Sequence, residues 1–142
     1  MTFPLVAAYT AAALIILQTV LMLTVGLHRF QTGVGVGFGD DADLERKIRR
    51  HGNLAENSAL FLAVLVVTEL VGTPTAVVAG FGAAFIVARL SHALAFTSLA
   101  GSHGHEGSKV FFLLRGVGGF GTLAVGFGLG VLLLWQLSGV VA

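Results

Sequence analysis

The chain has 142 residues, of which 56% are hydrophobic and 11% charged, and its mean hydropathy is +0.93. A soluble domain usually carries about a quarter of charged residues, so this composition indicates an integral membrane protein. A formal net charge of +1 argues against a nucleic-acid partner, and the lack of cysteine excludes disulfides, thiolate metal sites and a nucleophilic thiol of the protein itself.

The first predicted helix covers residues 3–30. Its run from Phe3 to Leu27 has 25 residues without a charge, more than the about 20 that a helix needs to cross a membrane. No basic segment precedes the run, and it is longer than the apolar part of a signal peptide. We therefore expect this helix to be retained in the protein.

Residues 31–43 alternate glycine with apolar residues and end in an acidic cluster, Asp40, Asp41 and Asp43. This pattern predicts a loop whose carboxylates cap the next helix and favour the positive end of its dipole. A phosphate-binding glycine loop is disfavoured, because no strand precedes it and the carboxylates would repel phosphate.

The second predicted helix, residues 43–71, carries polar side chains into a membrane segment. The longest stretch without a charge is residues 57–68, so the first half of this helix must lie at the interface or against protein. At 100° per residue, one broad face collects cations, amides and a carboxylate. That face comprises Arg46, Arg49, Arg50, Asn53, Glu56, Asn57 and Leu60.

This polar face is typical of a site for a ligand that carries carboxylates and an amino group, because guanidinium groups grip carboxylates bidentately and an amide both donates and accepts. A basic collar facing lipid headgroups would explain Arg46, Lys47 and Arg50. It would leave Asn53 and Glu56 unexplained.

A short neutral turn at residues 72–75 leads to the third predicted helix, residues 75–98, and Glu69 beside the turn is expected to be an interfacial group. The fourth helix, residues 109–137, follows a polar connection at 99–108. Two small-residue ridges predict close helix packing. They comprise Gly80, Ala84 and Ala88 in the third helix and Gly118, Thr122, Gly126 and Gly130 in the fourth.

The basic residues are distributed unevenly between the connections. Six of the eight lie in or beside the first and third connections, namely Arg29, Arg46, Lys47, Arg49, Arg50 and Lys109. The positive-inside tendency then predicts that these two connections are cytoplasmic, with both termini outside and the polar site open to the cytoplasm. A bacterial inner membrane is the expected location.

Arg89 and Arg115 lie within the predicted spans. An unpaired charge near the middle of a bilayer costs at least about 2.5–3.5 kcal/mol, so both should face the interior of the bundle, where Glu56 is the expected partner. The alternative is a purely structural ion pair that holds three helices together.

Two histidines, His51 and His92, suggest a haem or metal site between helices, because helical bundles hold cofactors in this way. Arg89 lies on the same face as His92, and no further ligand occurs at a suitable spacing. A hydrogen-bonding role without a metal is therefore favoured, and His103 and His105 are expected to be solvated.

At these residues the chain resembles the MAPEG family, the membrane-associated proteins in eicosanoid and glutathione metabolism, and most of all its short bacterial members. The resemblance covers the whole chain. It rests on residues 49–56, Arg-Arg-His-Gly-Asn-Leu-Ala-Glu; on residues 89–92, Arg-Leu-Ser-His; and on Arg115, Gly118 and Thr122 in the fourth helix.

The resemblance implies a left-handed bundle of four transmembrane helices, assembled as a homotrimer that binds glutathione between neighbouring subunits on the cytoplasmic side. It implies glutathione contacts from the second and third helices, namely Arg49, His51, Asn53, Glu56, Arg89 and His92. Arg115 would stabilise the glutathione thiolate, with Lys109 or Ser108 as alternatives for that role.

Three positions depart from the pattern of active members. Gly52 stands where an arginine occurs in eicosanoid-type members, Ala59 replaces a common proline, and Phe96 in the substrate pocket replaces a tyrosine near the thiol. The leading hypothesis is a glutathione-dependent transferase or peroxidase for hydrophobic electrophiles that enter from the bilayer.

The alternative hypothesis is a non-catalytic module that binds lipids or small molecules on the same scaffold. A transporter is disfavoured, because the helices lack the paired breaks that mark such sites. The sequence identifies neither the second substrate nor the thiol, which could be another low-molecular-weight thiol.

Overall fold

The computed structural model describes residues 3–99 and 108–141, and this part of the chain contains four long helices and no strand. They are α1 (Leu5–Thr32), α2 (Ala42–Leu70), α3 (Thr75–Ala95) and α4 (Lys109–Val141). Each is long and apolar enough to cross a membrane. The protein is an all-α, multi-pass membrane protein with four transmembrane helices, as the composition predicts.

The helices begin and end close to the predicted positions. The largest differences are at two carboxyl ends: α3 stops at Ala95, three residues early, and α4 extends to Val141, four residues further than expected. The connection with His103 and His105 lies mainly outside the described residues, so the expectation for these two histidines stays a prediction.

The helices α1 and α2 are antiparallel neighbours joined by polar contacts at both ends. At one end the carboxylate of Glu69 accepts hydrogen bonds from the backbone N–H groups of Val6 and Ala7, at 2.9 and 2.8 Å. Glu69 therefore caps the first turn of α1, where the N–H groups lack partners within the helix. The sequence predicted only an interfacial position for Glu69 and did not indicate this capping role.

At the opposite end, Asp41 caps α2 as the sequence predicts. Its Oδ1 accepts hydrogen bonds from the backbone N–H groups of Asp43 and Leu44 at 3.0 and 2.9 Å. Its Oδ2 lies 2.7 Å from the ring of His28, and this hydrogen bond lowers the pKa of the Asp41 carboxyl. The loop between α1 and α2 is thereby tied to the last turns of α1.

The helices α3 and α4 approach closely at Gly118. A Cβ atom placed there would lie 2.6 Å from the Cβ and 2.7 Å from the backbone N of His92. The predicted ridges are only partly used, because Gly80, Gly126 and Gly130 have no atom within 4 Å of such a Cβ.

The core lies at the centre of the bundle, where α2 and α3 meet. The rings of Phe61 and Phe85 stack with centroids 3.7 Å apart, and Leu65, Val78 and Leu129 are buried around them. Large apolar side chains cover the outside of α4, including Phe112, Phe120, Phe127 and Trp135. An apolar exterior is what a chain in contact with lipid requires.

We expect Gly118→Ala to destabilise the protein by about 1–3 kcal/mol, because the added methyl group meets backbone that cannot rotate away. The matched control is Gly116→Ala on the same helix, where the added Cβ meets nothing within 4 Å and helix propensity should raise stability slightly. Thermal unfolding in detergent measures both variants, and equal effects would contradict the close approach.

Candidate functional site

A cleft of about 330 Å³ opens where the first turns of α2 and α4 meet the last turns of α3. It is lined by Glu45, Arg46, Arg49, Asn53, His92, Phe96 and Arg115. This volume is at the small end of the range for ligand sites. Arg49, Asn53, His92, Phe96 and Arg115 are sequence-predicted site residues, and the fold brings these five together.

Arg49 and Glu45 provide opposite charges on the α2 side of the cleft. They lie one helical turn apart, with Arg49 Nε 3.9 Å from Glu45 Oε1, and the side chain of Arg49 is 75% exposed. A long, exposed pair of this kind contributes little to stability. The Arg49 guanidinium therefore remains accessible to an anionic ligand.

Arg115 enters the cleft from the second turn of α4. Its guanidinium carbon lies 5.1 Å from the centre of the Phe96 ring, and that ring stacks on His92 with centroids 4.7 Å apart. The burial predicted for Arg115 is wrong, because the side chain is exposed at the open cleft. A cation over an aromatic face in a partly desolvated cleft is placed to attract negative charge.

Arg89 is a buried cation, with only 2% of its surface exposed. Its Nη1 donates to Asn53 Oδ1 at 2.6 Å, and its Nη2 donates to the backbone carbonyl of Gly118 at 2.9 Å and to the Thr122 hydroxyl. The expected pairing of Arg89 with Glu56 is wrong. The carboxylate of Glu56 is exposed, whereas neutral acceptors of α2 and α4 surround the guanidinium.

His51 and Arg50 point towards α1. His51 Nε2 lies 2.7 Å from Gln18 Nε2, and Arg50 donates to the Thr24 hydroxyl at 3.2 Å. Neither is among the residues that line the cleft. His51 is two residues beyond Arg49, a rotation of about 200° around the helix, so the two side chains take opposite sides.

Glu56 does not line this cleft but lines two further openings. One, of about 320 Å³, shares Glu45, Arg49 and Asn53 with the first cleft and is closed on another side by Phe38. The other, of about 350 Å³, runs between α2 and α4 and is mainly apolar. The two openings meet at Glu56, so the surface along α2 changes there from charged to apolar.

The sequence analysis missed Glu45 and left two explanations for Arg46. Glu45 sits four residues before Arg49, a spacing that places both on the same helix face and could have indicated it. Arg46 was on the predicted polar face but was equally explained as a lipid collar. Lys109 and Ser108, the alternatives to Arg115, are exposed at the start of α4 and are not among the cleft residues.

The cleft presents guanidinium groups, the Glu45 carboxylate and the Asn53 amide, which suits a ligand that carries both carboxylate and amino groups. Among residues 3–99 and 108–141, no three His, Asp or Glu side chains are grouped closely enough to hold a metal ion.

We expect Arg89→Lys to lower the melting temperature strongly, because a single ammonium group cannot reach acceptors on both α2 and α4. Hydrogen bonds to a charged group contribute about 1.5–3 kcal/mol each, and the lysine would lose those to at least one of the two helices. The matched control, Arg115→Lys at the exposed edge, should change stability by less than about 0.5 kcal/mol. Similar melting temperatures for the two variants in detergent would contradict the structural role of Arg89.

Comparison with known proteins supports the resemblance seen in the sequence. The sequence model described as MAPEG family matches residues 7–135 of the chain. No curated protein and no solved structure gave a significant match.

Proposed function

Because the chain belongs to the MAPEG family, whose members are membrane proteins of eicosanoid and glutathione metabolism, we propose that it is a glutathione-dependent transferase or peroxidase. Its substrates are hydrophobic electrophiles that reach the site from the bilayer. The observation that carries this proposal is the single cleft that Arg49, Asn53 and Arg115 line together.

In this proposal the cleft binds glutathione through charge. Arg49 grips a carboxylate, Glu45 accepts from the α-amino group, and Asn53 contacts the peptide backbone of the ligand. Glu56 extends the same polar surface at its lower edge. His92 and the buried Arg89 hold the wall of the cleft, whereas the position of His51 against Gln18 gives no support to a direct contact.

Arg115 is the proposed catalytic residue. A guanidinium beside the glutathione sulfur favours the thiolate over the thiol and so lowers the apparent pKa of that thiol, with each unit worth about 1.4 kcal/mol. The thiolate then forms a carbon–sulfur bond with the electrophile, and the leaving group departs with its electron pair. With a lipid hydroperoxide, the thiolate attacks the terminal oxygen, the O–O bond breaks, and the lipid alkoxide leaves and takes up a proton to become the alcohol. The sulfenic acid of glutathione that remains condenses with a second glutathione to give the disulfide and water.

The apolar groove between α2 and α4 supports a hydrophobic second substrate. Leu60, Phe61, Val64 and Leu129 line it, and it begins at Glu56 next to the charged openings. An apolar molecule in this groove would place its reactive end towards the polar side.

The assembly and orientation belong to the same proposal. The proposed assembly is a homotrimer in which a neighbouring subunit completes the cleft, whose Arg49 side is open in the single chain. The ends of the helices that carry the cleft also carry Arg29, Lys47 and Lys109. Following the positive-inside tendency, the proposed orientation has this end in the cytoplasm and both termini outside, and the proposed location is a bacterial inner membrane.

One observation favours the alternative of a non-catalytic binding protein. Phe96 lines the cleft, with its ring stacked on His92 and facing the Arg115 guanidinium. It has no hydroxyl group to donate to a thiolate. A protein that binds glutathione or an amphiphile without turnover would retain all the other features of the cleft.

The two functions are separated by conjugation of glutathione to an aryl halide, measured by absorbance on the purified protein. We expect turnover by the wild type, and a loss of about 10²-fold in kcat/KM for Arg115→Ala, as for other donors aimed at a developing anion. Arg29→Ala is the matched control, because its guanidinium donates to the Val34 carbonyl outside the cleft.

Binding measured by calorimetry on the same samples completes the test. Glutathione binding that is unchanged in Arg115→Ala, without turnover by the wild type, would identify the binding protein. Absence of both binding and turnover would contradict the proposed function.

A further inference from the structure

A second polar network joins α2 to the last turn of α3, and the proposed function assigns it no role. At its centre is Arg46, which is buried with 7% of its surface exposed. Arg46 Nε donates to Asp43 Oδ1 at 2.9 Å, and Nη2 donates to the same oxygen. Nη1 donates to the backbone carbonyl of Phe96, 50 residues away in the chain.

All three nitrogens of the Arg46 guanidinium group donate to acceptors of the protein. Its charge is also compensated at short range by the Asp43 carboxylate, whose other oxygen lies 2.8 Å from Lys47 Nζ. A ligand carboxylate would therefore gain little from Arg46. The side chain lies at the cleft as a cross-link and not as an anion receptor.

The hydrogen bond from Arg46 ends at Phe96, the residue whose ring also contacts Arg115. The carbonyl of Phe96 receives Arg46, while the ring of Phe96 faces the Arg115 guanidinium at 5.1 Å and stacks on His92 at 4.7 Å. Phe96 is the residue immediately after α3, where the backbone leaves the helix with φ −100° and ψ 25°. The hydrogen bond from Arg46 to this carbonyl ties the carboxyl end of α3 to α2.

We propose that Asp43 and Arg46 are positioning residues, which fix Phe96 at the end of α3 so that its ring holds the Arg115 guanidinium beside the bound thiol. This inference rests on the proposed function, since it assigns the network to the thiolate-stabilising step. Asp43 orients the guanidinium group of Arg46, and Arg46 anchors the Phe96 carbonyl. The Phe96 ring then sets the position of the Arg115 guanidinium. His28, whose Nδ1 lies 2.6 Å from Lys47 Nζ, extends the support to α1.

The test measures the apparent pKa of the glutathione thiol in the complex, from the ultraviolet absorbance of the thiolate as a function of pH. The chain has no cysteine, so any thiolate signal belongs to the ligand. A cation within 4–6 Å lowers a pKa by about one to three units. We therefore expect Arg46→Lys and Asp43→Asn each to raise the thiol pKa above its wild-type value by at least about half a unit.

A double-mutant cycle distinguishes positioning from general damage to the fold. In an Arg115→Ala background there is no guanidinium left to position, so Arg46→Lys should leave the thiol pKa unchanged. The matched control, Arg29→Lys, alters another arginine that donates to a backbone carbonyl, and it should leave the thiol pKa at the wild-type value. Equal shifts with and without Arg115 would overturn the inference.

A second measurement on the ligand-free protein keeps the inference testable apart from glutathione. Hydrogen exchange of the backbone amides of residues 94–97 should accelerate in Arg46→Lys and Asp43→Asn but not in Arg29→Lys. Unchanged exchange would overturn the anchoring of Phe96, whatever the ligand. If the wild type does not lower the thiol pKa, the proposed function fails, and the role in thiolate stabilisation fails with it.

Discussion

The structure depends on the burial of the Arg89 guanidinium within the bundle. Hydrocarbon supplies no hydrogen-bond acceptors, so a charge at this depth is stable only where protein groups surround it. Arg89 obtains its acceptors from Asn53 on α2 and from Gly118 and Thr122 on α4. One α3 side chain thus holds the three helices whose ends form the cleft.

The close approach at Gly118 belongs to the same arrangement. Its missing side chain lets α4 contact the backbone of His92, one turn from Arg89, and its carbonyl then lies within reach of the guanidinium. Asn53 connects this core to the site, because its Oδ1 accepts from Arg89 while the residue also lines the cleft. The cleft is therefore built directly on the buried polar network.

The four arginines near the cleft divide into two roles. Arg89 and Arg46 are buried, and their guanidinium groups donate hydrogen bonds to acceptors of the protein. These hydrogen bonds connect helices. Arg49 and Arg115 are exposed at the cleft. In the proposed function, the first pair sets the geometry and the second pair performs the binding and catalysis.

The sequence predicts the helices well because long apolar runs and capping residues are local signals. It also predicts that Arg89 is buried and that Arg49 and Asn53 share a face. It fails where a partner is distant in sequence: Glu69 caps a helix that begins more than 60 residues earlier, and Arg89 finds amide and carbonyl acceptors instead of a carboxylate. Periodicity gives the side of a helix that a residue occupies, and only packing decides what that side meets.

The central claim, that an anionic thiol ligand binds between the start of α2 and the start of α4, is tested most directly by an experimental structure of the protein in a lipid nanodisc with saturating glutathione. The account predicts a glutathione carboxylate at the Arg49 guanidinium and the sulfur atom beside Arg115, next to the Phe96 ring. Glutathione that binds elsewhere, or that contacts neither Arg49 nor Arg115, would contradict it.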